Sequence, residues 1–258
     1  MDSKIFCELD NLKYLQKSYE ENPESIKQKQ DGASLISVAL QNGWINSAKF
    51  IYEKDPDQIK TTYKGKTNFF LAVDSDNIEC AKFVYEVDPT QVKGRDKLDQ
   101  TPFFVAAENG NLDMIKFIYE IDPSQLKIAN KAEMTPFSVA SQMQNIDCME
   151  FILEKDPEQV SVQIFDKTIF FVCAMLGKLK SLKFIHSKDP QQILKKHLGK
   201  TPFFVATENG HLDCMMFIHS NDPTQISMKN HKGQLPIEVA EIEECRQFIV
   251  ENSSHLDP

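Results

Sequence analysis

The residues of this chain best suited to act on another molecule are cationic, and they are clustered. Lys64, Lys66, Arg95, Lys97, Lys131, Lys167, Lys195, Lys196, Lys200 and Lys229 lie in six of seven short segments, 27–33, 60–66, 93–100, 127–134, 161–167, 194–200 and 227–234. These segments hold 16 Lys and Arg against 5 Asp and Glu in a chain of net charge -9, which leaves -20 for the remainder. Such segregation can steer an acidic partner, or gather a small polyanion such as a nucleotide or inositol phosphate. It also keeps exposed hairpins soluble and unpaired. Tyr63, His197 and His231 add contact area to the same segments. In SVQIFDK, Val162, Ile164 and Phe165 stand where neighbouring segments are polar. Phe165 reads as an interface anchor with the basic segments as its rim. Trp44, the one tryptophan, suits a core and a contact role equally.

Other chemistries find no support. His186 and His219 share a column with Tyr19, Tyr52, Tyr85 and Tyr119, and without a third ligand they read as structural. Cys173 stands at an alanine position with no His near it, which argues against a nucleophile. Cys80, Cys148, Cys214 and Cys245 align with one another. Successive members of the first three stand two repeats and roughly 20 Å apart, too far for a disulfide, so they read as apolar fillers in a reducing compartment. Nine glycines form neither G-x-G-x-x-G nor G-x-x-x-x-G-K, and no cofactor is implied. The net charge argues against nucleic acid. The start, MDSKIFCELDNLKYL, has no apolar core of leader length, and the longest apolar run, 169–176, is too short to span a membrane. The expectation is an intracellular, cytoplasmic or nuclear monomer without membrane insertion.

The elements that position these segments are repeats. TPFFVAAENGNLDMIKFIYEIDPSQL, from Thr101, returns as TPFFVATENGHLDCMMFIHSNDPTQI, from Thr201. Weaker copies start at Ser34, Thr67, Thr135, Thr168 and Leu235, and successive starts are 33 or 34 residues apart. A period of this size marks a solenoid of one repeated supersecondary unit. Thr caps a first helix and Pro occupies its first turn. Small residues at Ala39, Ala72, Ala106, Ala140, Cys173, Ala206 and Ala240 let two helices approach. The second helix buries Leu112, Ile115, Phe117 and Ile118. It ends before proline, at Asp55, Asp88, Asp122, Asp156, Asp189 and Asp222.

The order T-P-F-x-x-A, then N-G-x-L-D, then a second apolar stretch, resembles the ankyrin repeat over nearly the whole chain. The resemblance implies an all-α, ankyrin-type helical solenoid of about seven helix-pair repeats with short hairpin fingers, the basic segments being the fingers. As one domain it would run 1–258, with a degenerate N-terminal cap (1–26), repeats (27–234) and a shortened, polar C-terminal capping repeat (235–258). It further implies a non-enzymatic module that binds another protein through its concave finger and inner-helix surface. Two departures stand out. Phe70, Phe104, Phe171 and Phe204 replace the family's histidine, trading a polar link between units for buried aromatic area. Asp-Pro-x-Gln replaces the helix-ending glycine turn, predicting a short turn with Asp as cap and Pro first.

Overall fold

The computed structural model describes residues 11–253, so the outermost parts of both expected caps, 1–10 and 254–258, lie outside them. The described residues fold as helix pairs grouped in two compact units, Met1–Pro136 and Phe137–Pro258. The first unit holds α1 (Leu12–Glu21), then the pairs α2 (Leu35–Gln41) and α3 (Ile45–Lys54), α4 (Asn68–Asp74) and α5 (Ile78–Val87), α6 (Pro102–Asn109) and α7 (Leu112–Ile121). Helix α8 (Pro136–Met143) begins at the division and is followed by α9 (Ile146–Lys155). The second unit continues with α10 (Ile169–Met175) and α11 (Leu179–Lys188), α12 (Pro202–Glu208) and α13 (Leu212–Asn221), α14 (Pro236–Val239) and α15 (Glu243–Ser253). First helices pack in succession within each unit, α2 on α4 on α6 and α10 on α12 on α14.

The sequence explains these elements locally. Hydroxyl oxygens of Thr67, Thr101, Thr168 and Thr201 accept hydrogen bonds from the amides of Phe70, Phe104, Phe171 and Phe204 at 3.1–3.2 Å, capping α4, α6, α10 and α12. Phe69, Phe70, Phe103, Phe104, Phe137, Phe170, Phe203 and Phe204 are almost fully buried. Each burial contributes about 1.5 to 3 kcal/mol of hydrophobic stabilisation. After each second helix up to α13, the chain forms the expected short turn, a 3-10 helix beginning at the proline, such as Pro89–Lys93 or Pro223–Ser227.

The glutamine in that turn corrects one expectation. The phenylalanines do not cost the repeats their polar link, because glutamine supplies it. Gln58, Gln91, Gln125, Gln192 and Gln225 are buried. The Nε2 of each donates at 2.6–2.9 Å to a carbonyl one repeat earlier, on Ile26, Ile59, Val92, Val160 and Ile193. Nε2 also donates to the aspartate before the proline. Oε1 accepts from the amides of Ile36, Phe69, Phe103, Phe170 and Phe203 at 3.1–3.3 Å. One side chain thus satisfies a helix-start amide and the preceding repeat's carbonyl, groups that are expensive to bury unpaired. Gln159 departs from the pattern. Its Nε2 holds Asp156 at 2.8 Å, while its Oε1 has no partner among the described residues.

The C-terminal end is not the wholly polar cap the sequence suggested. Glu241, Glu243 and Glu244 are exposed, but so are Ile242 and Val250, and a cavity of about 510 Å³ opens between Ile226, Leu235, Ile237, Ile249 and Val250.

Candidate interaction surface

The fingers are of two kinds, and the distinction explains why the period alternates. Four have two-residue tips with both residues at positive φ: Asp31-Gly32, Lys64-Gly65, Phe165-Asp166 and Leu198-Gly199. That is the tight type I′ turn whose twist matches a hairpin. Two close antiparallel ribbons, Lys29–Gln30 with Ala33–Ser34 and Gln163–Ile164 with Lys167–Thr168. The others make single bridges, Tyr63 to Lys66 and His197 to Lys200. The remaining three fingers are wider loops rather than tight hairpins. In these, Asp96, Asn130 or Asn230 accepts two backbone amides, and only the third tip residue, Asp99, Glu133 or Gly233, has positive φ. The wide tips precede the repeat starts at 101, 135 and 235, which come after 34 residues, and tight tips precede those at 67, 168 and 201, which come after 33.

Within each unit neighbouring fingers touch. The Lys131 amide donates to the Leu98 carbonyl at 3.0 Å, and Lys131 Nζ to the Lys97 carbonyl at 2.7 Å. A Cβ on Gly65 would lie 3.8 Å from Lys97, and one on Gly199 would strike the His231 ring at 2.7 Å. His197 packs edge-on to Phe171 at 5.8 Å.

The cations that the sequence grouped together divide into two classes. Lys66 pairs with Asp74 and Lys200 with Glu208, both at 2.6 Å, each lying over the phenylalanine of its own repeat, Phe70 or Phe204. Arg95 holds Asp99 at 2.9 Å, and Lys64 lies over Tyr63. Lys195, Lys196 and Lys229 are exposed, and none of the ion pairs among the described residues involves them. Lys167 Nζ donates to the Phe165 carbonyl at 3.5 Å. Tyr63 and His197 are half-buried and His231 exposed. Trp44 is half-buried at the start of α3.

Phe165 is at the tip and 55% exposed, while Ile164 beside it is buried. Sequence reasoning missed its equivalents. Leu198 occupies the same turn position and is 69% exposed, Leu98 is exposed at a wide tip, and Leu194 is exposed at the base of the Leu198 finger. The Leu-Gly pair was the available signal, since glycine in the second place marks a two-residue turn with the leucine at its tip.

A family model described as ankyrin repeats (3 copies) matches residues 88–164. No curated protein matches the sequence. Among solved structures, the chain resembles the human ASB11 ankyrin repeat domain at 14% identity and TM-score 0.67, over 84% of this chain and 96% of that one. It resembles the ankyrin repeat domain of Bcl-3, a member of the IkappaB family, at 14% identity and TM-score 0.64, over 86% and 100%. A chain in the complex of the predatory endopeptidase Bd0816 from Bdellovibrio bacteriovorus with immunity protein Bd3460 matches at 22% identity and TM-score 0.59, over 76% and 100%. Residues 88–164 thus match ankyrin repeats, and the chain has the fold of ankyrin-repeat domains.

Its ankyrin repeats bury the groups that could have been reactive. Burial pushes the thiols of Cys80, Cys148 and Cys214 up to about 11 and raises Cys173 further, so all four stay protonated and poorly nucleophilic at neutral pH. Ring Nδ1 atoms of His186 and His219 are buried without a partner among the described residues, and the rings meet Phe217 and Phe248 edge-on. No group of three or more His, Cys, Asp or Glu among the described residues could hold a metal ion.

Proposed function

We propose that this ankyrin-repeat chain is a non-enzymatic interaction module that binds an acidic surface of another protein through its fingers. The observation that carries the reading is the lateral contact of fingers within each unit. The Lys131–Leu98 and Lys131–Lys97 bonds bring cationic segments more than 30 residues apart in sequence side by side. Contiguous positive charge raises the encounter rate with an acidic partner and selects against basic ones. Two of the structural neighbours agree with this role to the extent of their descriptions, one being a member of the IkappaB family and the other a complex of an endopeptidase with an immunity protein. A cytoplasmic or nuclear setting suits the buried, reduced thiols.

Capture from a cell lysate at low and high salt tests the reading. The retained proteins should be acidic, should elute with salt, and should be lost from a Lys64→Glu/Lys97→Glu variant that melts like the parent. Equal retention by the variant would remove the fingers from the binding surface. Elution of the same proteins by free inositol hexakisphosphate would favour a small polyanion as the ligand instead.

A further inference from the structure

We propose that α14, α15 and the last finger form a homodimer interface, on which a second copy of this chain docks about a two-fold axis. This goes beyond the protein-binding reading and does not rest on it, and it sets a dimer in place of the monomer expected from the sequence.

Apolar surface at positions that are closed elsewhere in the array provides the first argument. Val250 holds the position of Tyr85 and His219, whose rings meet the following repeat's phenylalanine edge-on, yet it is 60% exposed. Ile237 holds the position of Phe103 and Phe203, which are fully buried, and is itself only half-buried. Leu235 stands where Ser34, Thr67, Thr101, Thr168 and Thr201 cap a first helix with a hydroxyl, and its side chain caps nothing. The Glu238 carboxylate accepts from the Leu235 amide instead. A leucine that gives up a cap breaks the local rule, and the compensating use is in the cavity of about 510 Å³, which Leu235 lines with Ile226, Ile237, Ile249 and Val250.

Charge at the two edges of this face selects its occupant. Helix α14 starts directly after the last finger, which carries Lys229 and Lys232, and ends at the turn into α15, where Glu241, Glu243 and Glu244 lie. All five are exposed, and none of the ion pairs among the described residues involves them. The other charges on these helices are engaged within the repeat. Glu238 accepts from the Leu235 amide, Glu251 accepts from Gln247, and Arg246 donates to the Ala240 carbonyl. An apolar patch with lysines at one edge and glutamates at the other is complementary to itself. Turned about a two-fold axis, each lysine edge lies on the other copy's glutamate edge while the aliphatic side chains meet between them. A different protein would have to reproduce that order, whereas a second copy carries it already. Two-fold pairs are the commonest assemblies, and their interfaces are more apolar than those of transient complexes.

Sedimentation equilibrium of the full chain is the test. The average mass should rise from one chain toward two between about 1 µM and about 300 µM, as a micromolar Kd requires. Val250→Glu should weaken the dimer at least about tenfold, because the new carboxylate would be desolvated against apolar side chains of the other copy. It should melt like the parent at low concentration, since the site is open in the single chain. Lys229→Glu/Lys232→Glu and Glu241→Lys/Glu243→Lys should each stay monomeric where the parent dimerises, because like charges then face each other. Mixed in equal amounts, these two variants should form a heterodimer in which every reversed edge meets its opposite. That rescue decides the matter even if Val250→Glu fails to fold. The Lys64→Glu/Lys97→Glu variant used for the protein partner should dimerise like the parent, which separates the two readings. A parent chain that stays monomeric throughout would overturn the proposal and leave the cavity to a different occupant. An undiminished dimer in a folded Val250→Glu variant, or two charge variants that do not combine, would overturn it as well.

Discussion

The two units share a skeleton and differ in what they mount on it. In the first, tyrosines of the second helices meet the next repeat's phenylalanine edge-on, Tyr19 on Phe50, Tyr52 on Phe83 and Tyr85 on Phe117, at 5.7–6.0 Å. In the second, the same position is Leu153, His186 and His219, and the histidines keep the edge-on contact with Phe217 and Phe248 at 5.5 Å. Ring shape is therefore what the packing requires, and the polar atoms on the ring are free to vary. The short turns diverge likewise. They end in Lys27, Lys60, Lys93 and Lys127 in the first unit and in Ser161, Leu194 and Ser227 in the second. Lys27 and Lys60 pair with Glu24 and Asp57 three residues away. Cations near a carboxylate of their own repeat belong mostly to the first unit.

Core substitutions should produce the largest effect and leave the two units equal. Phe104→Ala and Phe204→Ala should each destabilise by about 3 to 5 kcal/mol, because both side chains are 1% exposed in matching sites. Denaturant unfolding followed by circular dichroism would show it, and a clear inequality would mean that the matched sites relax differently.

The glutamine links should separate the units at the next level. Gln91→Leu should cost about 2 to 4 kcal/mol, since it strips a partner from the Phe69 amide and the Ile59 carbonyl, both buried. Gln159→Leu should cost at least about 1 kcal/mol less, because its Oε1 satisfies no donor among the described residues. Equal costs would show that the carbonyl end of the link contributes little.

The smallest effect is one of pH. Burial lowers the pKa of His219 below its ordinary 6.5, so the fold favours the neutral ring. That contribution is complete above pH 6.5 and is lost as pH falls from 6.5 toward the depressed folded value. His219→Tyr copies the first unit and should flatten the decline in melting temperature between neutral and mildly acidic buffer. An unchanged slope would place the sensitivity on another histidine.

Much of this was legible in one dimension. Thr-Pro at residues 101 and 201 gave the caps, the Phe pairs gave the core, and Asp-Pro gave the short turns, because each rests on interactions within a few residues. Phe165 was legible as well, since its finger broke the polar pattern. Leu198 was not, because two lysines and a histidine before it made that finger look uniformly basic. Gln58 and its equivalents were visible as a recurring letter without a role, because their partners lie 22 and 32 or 33 residues away.

By itself the sequence determined the repeat, its period, the ends of its helices and which face of each is buried. The local preferences of Thr, Pro, Asp and Phe fix these things turn by turn. Only the tertiary structure decided which cations meet a carboxylate, which tips hold a bulky residue in a left-handed turn, and how glutamine joins one repeat to the next. The Lys66 and Lys200 pairs and the glutamine links join groups that the chain separates by eight to more than thirty residues, and packing, not proximity in sequence, sets such distances.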